Sequence, residues 1–245
     1  MIISHRHKFI FIATQCTGSE RIERALASVC GADDVIAAPP LQVRDPASHQ
    51  DWELARNYEW KDVPFKAFCE LINQITDPRV LAEAGKLYAK SKSFAATRHL
   101  GASCARRLVH PQVWKGYYKF CVEREPTGKI RSMYQSLPAE AKPASIDSWI
   151  ETGRHSILSD FGLYSNQGRM LVDQVYAAES AEQWWPELCQ KLGLGEQVRL
   201  PDLALNAGHL AELRLSPLSV RQIAIDFARE IQLFGYRPPP DIASA

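Results

Sequence analysis

The sequence predicts a three-layer α/β/α domain built around a central parallel sheet. Three observations carry this. The runs Phe9–Ala13 and Tyr117–Val122 are apolar or aromatic at every position but one, the pattern of strands covered on both faces. Each run passes through a short turn into a segment with helical periodicity. At 245 residues, with 46% apolar and 23% charged residues, the chain has enough material for one large core. One domain is expected over residues 1–237, with 238–245 as a frayed tail after Pro238-Pro239-Pro240.

The elements follow in order. After Phe9–Ala13 comes the turn Thr14-Gln15-Cys16-Thr17-Gly18-Ser19, then Ile22, Ala25, Leu26 and Val29 spaced as one helical face. Val35–Ala38 reads as a short strand, and residues 39–64 as a long loop carrying Trp52, Tyr58 and Trp60. Helical spacing recurs at Phe65, Phe68, Cys69 and Ile72, and at Val80, Leu81, Ala84, Leu87 and Tyr88; a short helix is expected at 101–110. The strand Tyr117–Val122 ends at Glu123-Arg124-Glu125-Pro126 and leads to a helix marked by Ile130, Met133, Tyr134 and Leu137. Ser145 is placed to cap a helix bearing Ile146, Trp149 and Ile150, while 159–170 reads as a polar loop and Met170–Tyr176 as a third strand. Ser180 and Gln183 have capping-box spacing ahead of a helix that stops at Gly193. The last helix starts at Ser216-Pro217, carries the stripe Val220, Ile223, Ala224, Phe227, Ile231 and Phe234, and exits at Gly235.

A net charge of +1 excludes a protein that coats nucleic acid, so any phosphate site must be local. Cys16, Cys30, Cys69, Cys104, Cys121 and Cys189 form no C-x-x-C pair and no metal spacing, and read as reduced thiols of a cytoplasmic protein without a metal. The apolar run near the N-terminus is too short for a membrane span or a signal segment.

The turn after the first strand is a candidate anion site, because N–H groups at a helix start face a phosphate and the helix dipole favours it. Thr17 and Ser19 offer hydroxyls and Gly18 close approach; the alternative is a plain strand-to-helix turn. Cys16, at that helix start, is either an activated thiol or a small residue that fits the turn. Arg124 leaves a strand end as a fork donor for phosphate, with Ser132 two turns into the next helix; the alternative is a surface arginine and an exposed serine.

The opening, Met1–Leu26 with its core Lys8-Phe9-Ile10-Phe11-Ile12-Ala13-Thr14-Gln15-Cys16-Thr17-Gly18-Ser19-Glu20-Arg21-Ile22-Glu23, resembles the start of the carbohydrate-type (family 2) sulfotransferases, which use 3′-phosphoadenosine 5′-phosphosulfate (PAPS). Thr17, Gly18, Ile22 and Glu23 match that family's phosphosulfate loop, while its lysine falls on Cys16, its second glycine on Ser19 and its Thr-Ser pair on Glu20-Arg21. The stretch Tyr117–Tyr134 is similar to the family's second motif, including Arg124, Pro126, Ser132 and Tyr134. Further likenesses run through Val172–Glu179, Leu200-Pro201 with Asn206, and Ala228–Tyr236.

The resemblance implies a P-loop-like sulfotransferase fold and sulfuryl transfer from PAPS to a hydroxyl or amine of a carbohydrate or small-molecule acceptor. Cys16, Thr17, Gly18, Ser19 and Arg21 would hold the 5′ end, and Arg124 and Ser132 the 3′-phosphate. Transfer to a hydroxyl needs a base. His99 is the first choice, with His155 or Glu179 in reserve and a surface or capping role as the alternative for His99. Trp52, Tyr58 and Trp60 could face an acceptor, though core packing is the favoured reading. With Cys16 in place of the lysine, the first rival is a degenerate relative that keeps the nucleotide without the chemistry. The others are a P-loop-like kinase, disfavoured by the lack of a Walker lysine, and an adaptor without a small ligand.

Overall fold

A computed structural model describes residues 1–37, 55–60, 94–95, 98–195, 197–201 and 213–236. The helical repeats at 65–72 and 80–88, Cys69, Trp52, Asn206 and the tail 238–245 lie outside the described residues.

The architecture is α/β: a five-stranded mixed sheet with helices on both faces. Its strands are β1 (Ile2–Ser4), β2 (Phe9–Ile12), β3 (Val35–Ile36), β4 (Tyr118–Glu123) and β5 (Gln174–Ala177), in the order β3-β1-β2-β4-β5. The parallel expectation holds for β2, β4 and β5 and fails for β1, which pairs antiparallel with both β2 and β3. The reason is local. Only four residues, His5-Arg6-His7-Lys8, separate β1 from β2, and so short a connection can return the chain only antiparallel.

Asp34 fixes that turn by accepting from the N–H groups of His5 (2.6 Å) and Arg6 (3.2 Å) and from Ser4 Oγ (2.8 Å). Burial pushes its carboxyl up, but the Ser4 hydroxyl and the Gly31, Arg6 and His5 N–H groups outweigh that and hold it below its usual range.

Alternation along the strands feeds two cores. Ile2, Phe9, Phe11, Phe120 and Val122 face α1 (Ser19–Ala27) and α7 (Ala181–Leu192), meeting Ile22, Leu26, Trp185 and Leu188. Ile3, Ile10, Ile12 and Cys121 face the other way, toward Ala102 and Ala105 of α2 (Ala102–Leu108) and Phe161 and Tyr164 of α6 (Phe161–Tyr164). The short α3 (Pro111–Gly116) leads into β4. A third cluster joins α4 (Pro126–Ser136), α5 (Ile146–Glu151) and α8 (Pro217–Asp226) through Ile130, Tyr134, Trp149, Ile150, Val220 and Ile223.

Three expected boundaries move. Residues 159–170 are not simply a polar loop: α6 lies there, held by the buried rings of Phe161 and Tyr164, followed by a hairpin pairing Ser165–Asn166 with Arg169–Met170. The expected strand from Met170 begins only at Gln174, because Met170 belongs to that hairpin and Asp173 anchors to Lys119 first. The single closing helix is two, α8 and α9 (Ala228–Phe234), broken at Phe227 (φ −111°, ψ 22°). Its predicted ends are as read: Ser216 caps with Pro217 behind it, and Gly235 is left-handed at φ 66°. No helix among the described residues is long and apolar enough to cross a membrane.

Candidate functional site

β2 and β4 lie side by side in parallel, with Ile12 opposite Cys121, so the turns that follow them emerge at one edge of the sheet. In parallel α/β sheets, ligands bind outside these carboxyl ends. The topology thus brings the segment Thr14–Ser19 beside Glu123–Pro126.

The first turn is tightly wound. Cys16 (φ 55°) and Gly18 (φ 73°) are both left-handed, which carries the chain directly into α1. Thr14 Oγ1 donates to the Val122 carbonyl and is 2.9 Å from Thr17 Oγ1, while Ser19 Oγ donates to the Thr14 carbonyl at 2.8 Å. The hydroxyls of Thr17 and Ser19 are therefore turned inward, and both residues are buried. What the turn leaves unspent is backbone: the N–H groups of Thr17, Gly18, Ser19 and Glu20 find no acceptor among the described residues. The Gln15 N–H is already taken by Asp160 Oδ2 at 2.7 Å.

Arg124 reaches across to this turn, its Nη1 donating to the Cys16 carbonyl at 3.2 Å. Its guanidinium lies on Gly128, where an added Cβ would stand 3.0 Å from Nε. Glu125 caps α4, its carboxylate accepting the N–H groups of Thr127 (2.8 Å) and Gly128 (2.7 Å), with Pro126 at the first helical position. Ser132, half-buried two turns on, has no side-chain partner among the described residues.

His99 sits at the same edge. Its Nδ1 is 3.0 Å from the carbonyl of Ala13, the residue between β2 and the turn. A carbonyl only accepts, so Nδ1 carries a proton; in the neutral form of the ring the lone pair is then on Nε2, the tautomer a general base needs.

The other named residues are engaged elsewhere. Arg21 pairs with Glu182 of α7, away from the turn. Glu20 and Glu23 both pair with Arg98 (2.9 and 2.7 Å). Glu179 accepts the Glu125 N–H at 2.8 Å and ties the end of β5 to α4. His155 is buried among α5 and α8, with Nε2 2.8 Å from Asp226 and Nδ1 without a partner among the described residues. Burial pushes the Cys16 thiol up to about 11, and the nearby Lys129 and Arg124 charges do not reverse this, so the thiol is protonated and unactivated.

Beneath the turn lies a cluster that sequence reasoning missed. Lys129 Nζ, fully buried, bonds Glu123 Oε1 at 2.8 Å and Asp160 Oδ2 at 2.7 Å, and Tyr164 donates to Glu123 Oε2 at 2.9 Å. Burial opposes the charge on Lys129, yet Glu123 and Asp160 outweigh it and hold the ammonium above its usual range. Burial raises the Glu123 carboxyl despite Lys129. The cluster supports the Gln15 and Arg124 backbone directly, through Asp160 and Glu123 respectively. A weak signal was present: Lys129 precedes Ile130 on the helix that must cover β4.

Among the described residues no group of three His, Cys, Asp or Glu side chains is placed to hold a metal. In comparisons with known proteins, no family model, no curated protein and no solved structure matches this chain.

Proposed function

We propose that the carboxyl edge of β2 and β4 binds a 3′-phosphorylated adenine nucleotide and that the protein transfers the sulfuryl group of PAPS to a hydroxyl or amine acceptor. The observation that carries this reading is the contact between Arg124 and the Cys16 carbonyl, which joins the two resembling segments, over a hundred residues apart, in one place. Four N–H groups at the start of α1 without an acceptor among the described residues suit the 5′ end, and the Arg124 fork suits the 3′-phosphate.

In the proposed step His99 Nε2 takes the acceptor proton as the acceptor oxygen or nitrogen bonds to sulfur. The bond from sulfur to the bridging oxygen breaks, and 3′-phosphoadenosine 5′-phosphate (PAP) leaves with that oxygen.

One observation favours the second reading, nucleotide binding without transfer. The neutral thiol of Cys16 stands where the resembling family has a lysine, and the buried ammonium whose charge reaches it, Lys129, is neutralised by two carboxylates. Losing a donor to the departing oxygen costs about 3 kcal/mol in the barrier.

Calorimetric titration with PAP tests both. Wild type should bind, and Arg124→Ala should lose about 1.5–3 kcal/mol, the scale of a charge-assisted hydrogen bond. Unchanged affinity in the variant takes Arg124 out of the site. With binding established, PAPS and a panel of alcohol, sugar and amine acceptors separate the readings. Product that His99→Ala loses while keeping PAP affinity supports transfer; no product from wild type selects the binding protein.

A further inference from the structure

A second cleft lies between α6 with its following hairpin and the break between α8 and α9. It is an open cleft of about 620 Å³, in the size range of small-molecule sites. Its charged lining residues are Asp226, Glu230 and Arg229.

The two carboxylates are half used. Asp226 accepts with Oδ2 from His155 (2.8 Å) and Gln222 (3.0 Å), leaving Oδ1 without a partner among the described residues. Glu230 is 1% exposed and accepts with Oε1 from Ser159 Oγ (2.6 Å) and the Phe161 N–H (3.3 Å); its Oε2 has no partner among the described residues. A carboxylate so deeply buried is costly unless both oxygens are satisfied, and Glu230 lines the cleft. Arg229, exposed, lies over the Phe161 ring at 5.3 Å and has no carboxylate partner among the described residues. Ile225, also on the lining, is 68% exposed and gives an apolar wall.

Two carboxylate oxygens without a partner and one guanidinium without a carboxylate partner among the described residues, beside an apolar wall, complement a zwitterion with an aliphatic side chain. We infer that this cleft binds an apolar α-amino acid. The ammonium sits between Asp226 and Glu230, the carboxylate on Arg229 and the side chain against Ile225. The inference rests on none of the residues proposed for the nucleotide.

The test is a titration of ¹⁵N-labelled protein with L-leucine, isopentylamine and isocaproate, followed by amide shifts. Leucine should move Gly162, Ile225 and Glu230 saturably. Isopentylamine, lacking the carboxylate, should bind more weakly, and isocaproate more weakly still. Arg229→Ala, a surface change that does not threaten folding, should weaken leucine about tenfold and leave isopentylamine unaffected. Asp226→Asn should weaken both amines. No saturable shift with leucine overturns the inference, as does leucine affinity unchanged in both variants. Isopentylamine binding as tightly as leucine overturns the amino-acid assignment.

Discussion

Two acidic clusters draw on the segment 155–165, and they differ in how fully their polar atoms are used. In the first, beneath the β2 turn, Lys129, Glu123, Asp160 and Tyr164 are all at most 1% exposed, and every charged oxygen and nitrogen has a partner. In the second, around the α8–α9 break, Asp226 Oδ1, Glu230 Oε2 and His155 Nδ1 have none among the described residues. A closed network fixes geometry: Asp160 and Glu123 hold the backbone of Gln15 and Arg124, and so set where the turn and the arginine stand. An open one keeps capacity for something else. Charge alone does not mark a binding site; unspent hydrogen-bonding capacity beside open space does.

The largest expected effect comes from breaking the closed cluster. Lys129→Met leaves two carboxylates buried together without their ammonium, and should destabilise the fold by about 3–5 kcal/mol in urea unfolding. Its folded fraction should also bind PAP more weakly, because Asp160, which holds Gln15 of the turn, loses the ammonium that fixes it. A cost below about 1 kcal/mol would mean that water enters the cluster, and the contrast with the second region would collapse.

His155→Gln is the matched change in the open cluster. The Asp226 side chain is 22% exposed and keeps Gln222, so water can replace the lost partner. The expected cost in the same unfolding experiment is about 1–2 kcal/mol. A cost equal to that of Lys129→Met would make the second cluster scaffold as well, and would weaken the case for the cleft as a site.

What was legible in the sequence divides along the same line. Strands that bury both faces, such as Phe9–Ile12 and Tyr118–Glu123, announce themselves by composition. So did helix ends with local chemistry, Ser216-Pro217 and Gly193 among them. His99 and Arg124 could be named as candidates from residue type and position. The sequence hid what depends on distant partners. β1 is only three residues long, and its pairing with β3 spans some thirty residues. Asp160 sits in a stretch read as a polar loop, yet it closes a network with Lys129, thirty-one residues earlier, and with Gln15. No periodicity connects such residues. Likewise the inward turn of the Thr17 and Ser19 hydroxyls follows from the fold of the Thr14 carbonyl, not from their residue type.

The smallest effect comes from two serines that look alike in sequence. Ser145 and Ser180 both precede a helix with capping spacing. In the structure Ser145 Oγ accepts the Ser148 N–H at 3.0 Å, and Ser148 Oγ accepts the Ser145 N–H at 3.1 Å, a complete reciprocal cap on α5. Ser180 makes no side-chain cap on α7, and its hydroxyl points back to the Ala177 carbonyl at 3.4 Å. Thus Ser145→Ala should cost about 1 kcal/mol, while Ser180→Ala should stay within about 0.5 kcal/mol of wild type. Differential unfolding of the two variants reads this directly. Equal costs would show that the start of α7 is capped by Ser180 in solution after all. The distinction between used and unused polar atoms would then fail at its simplest instance, where no buried charge complicates the comparison.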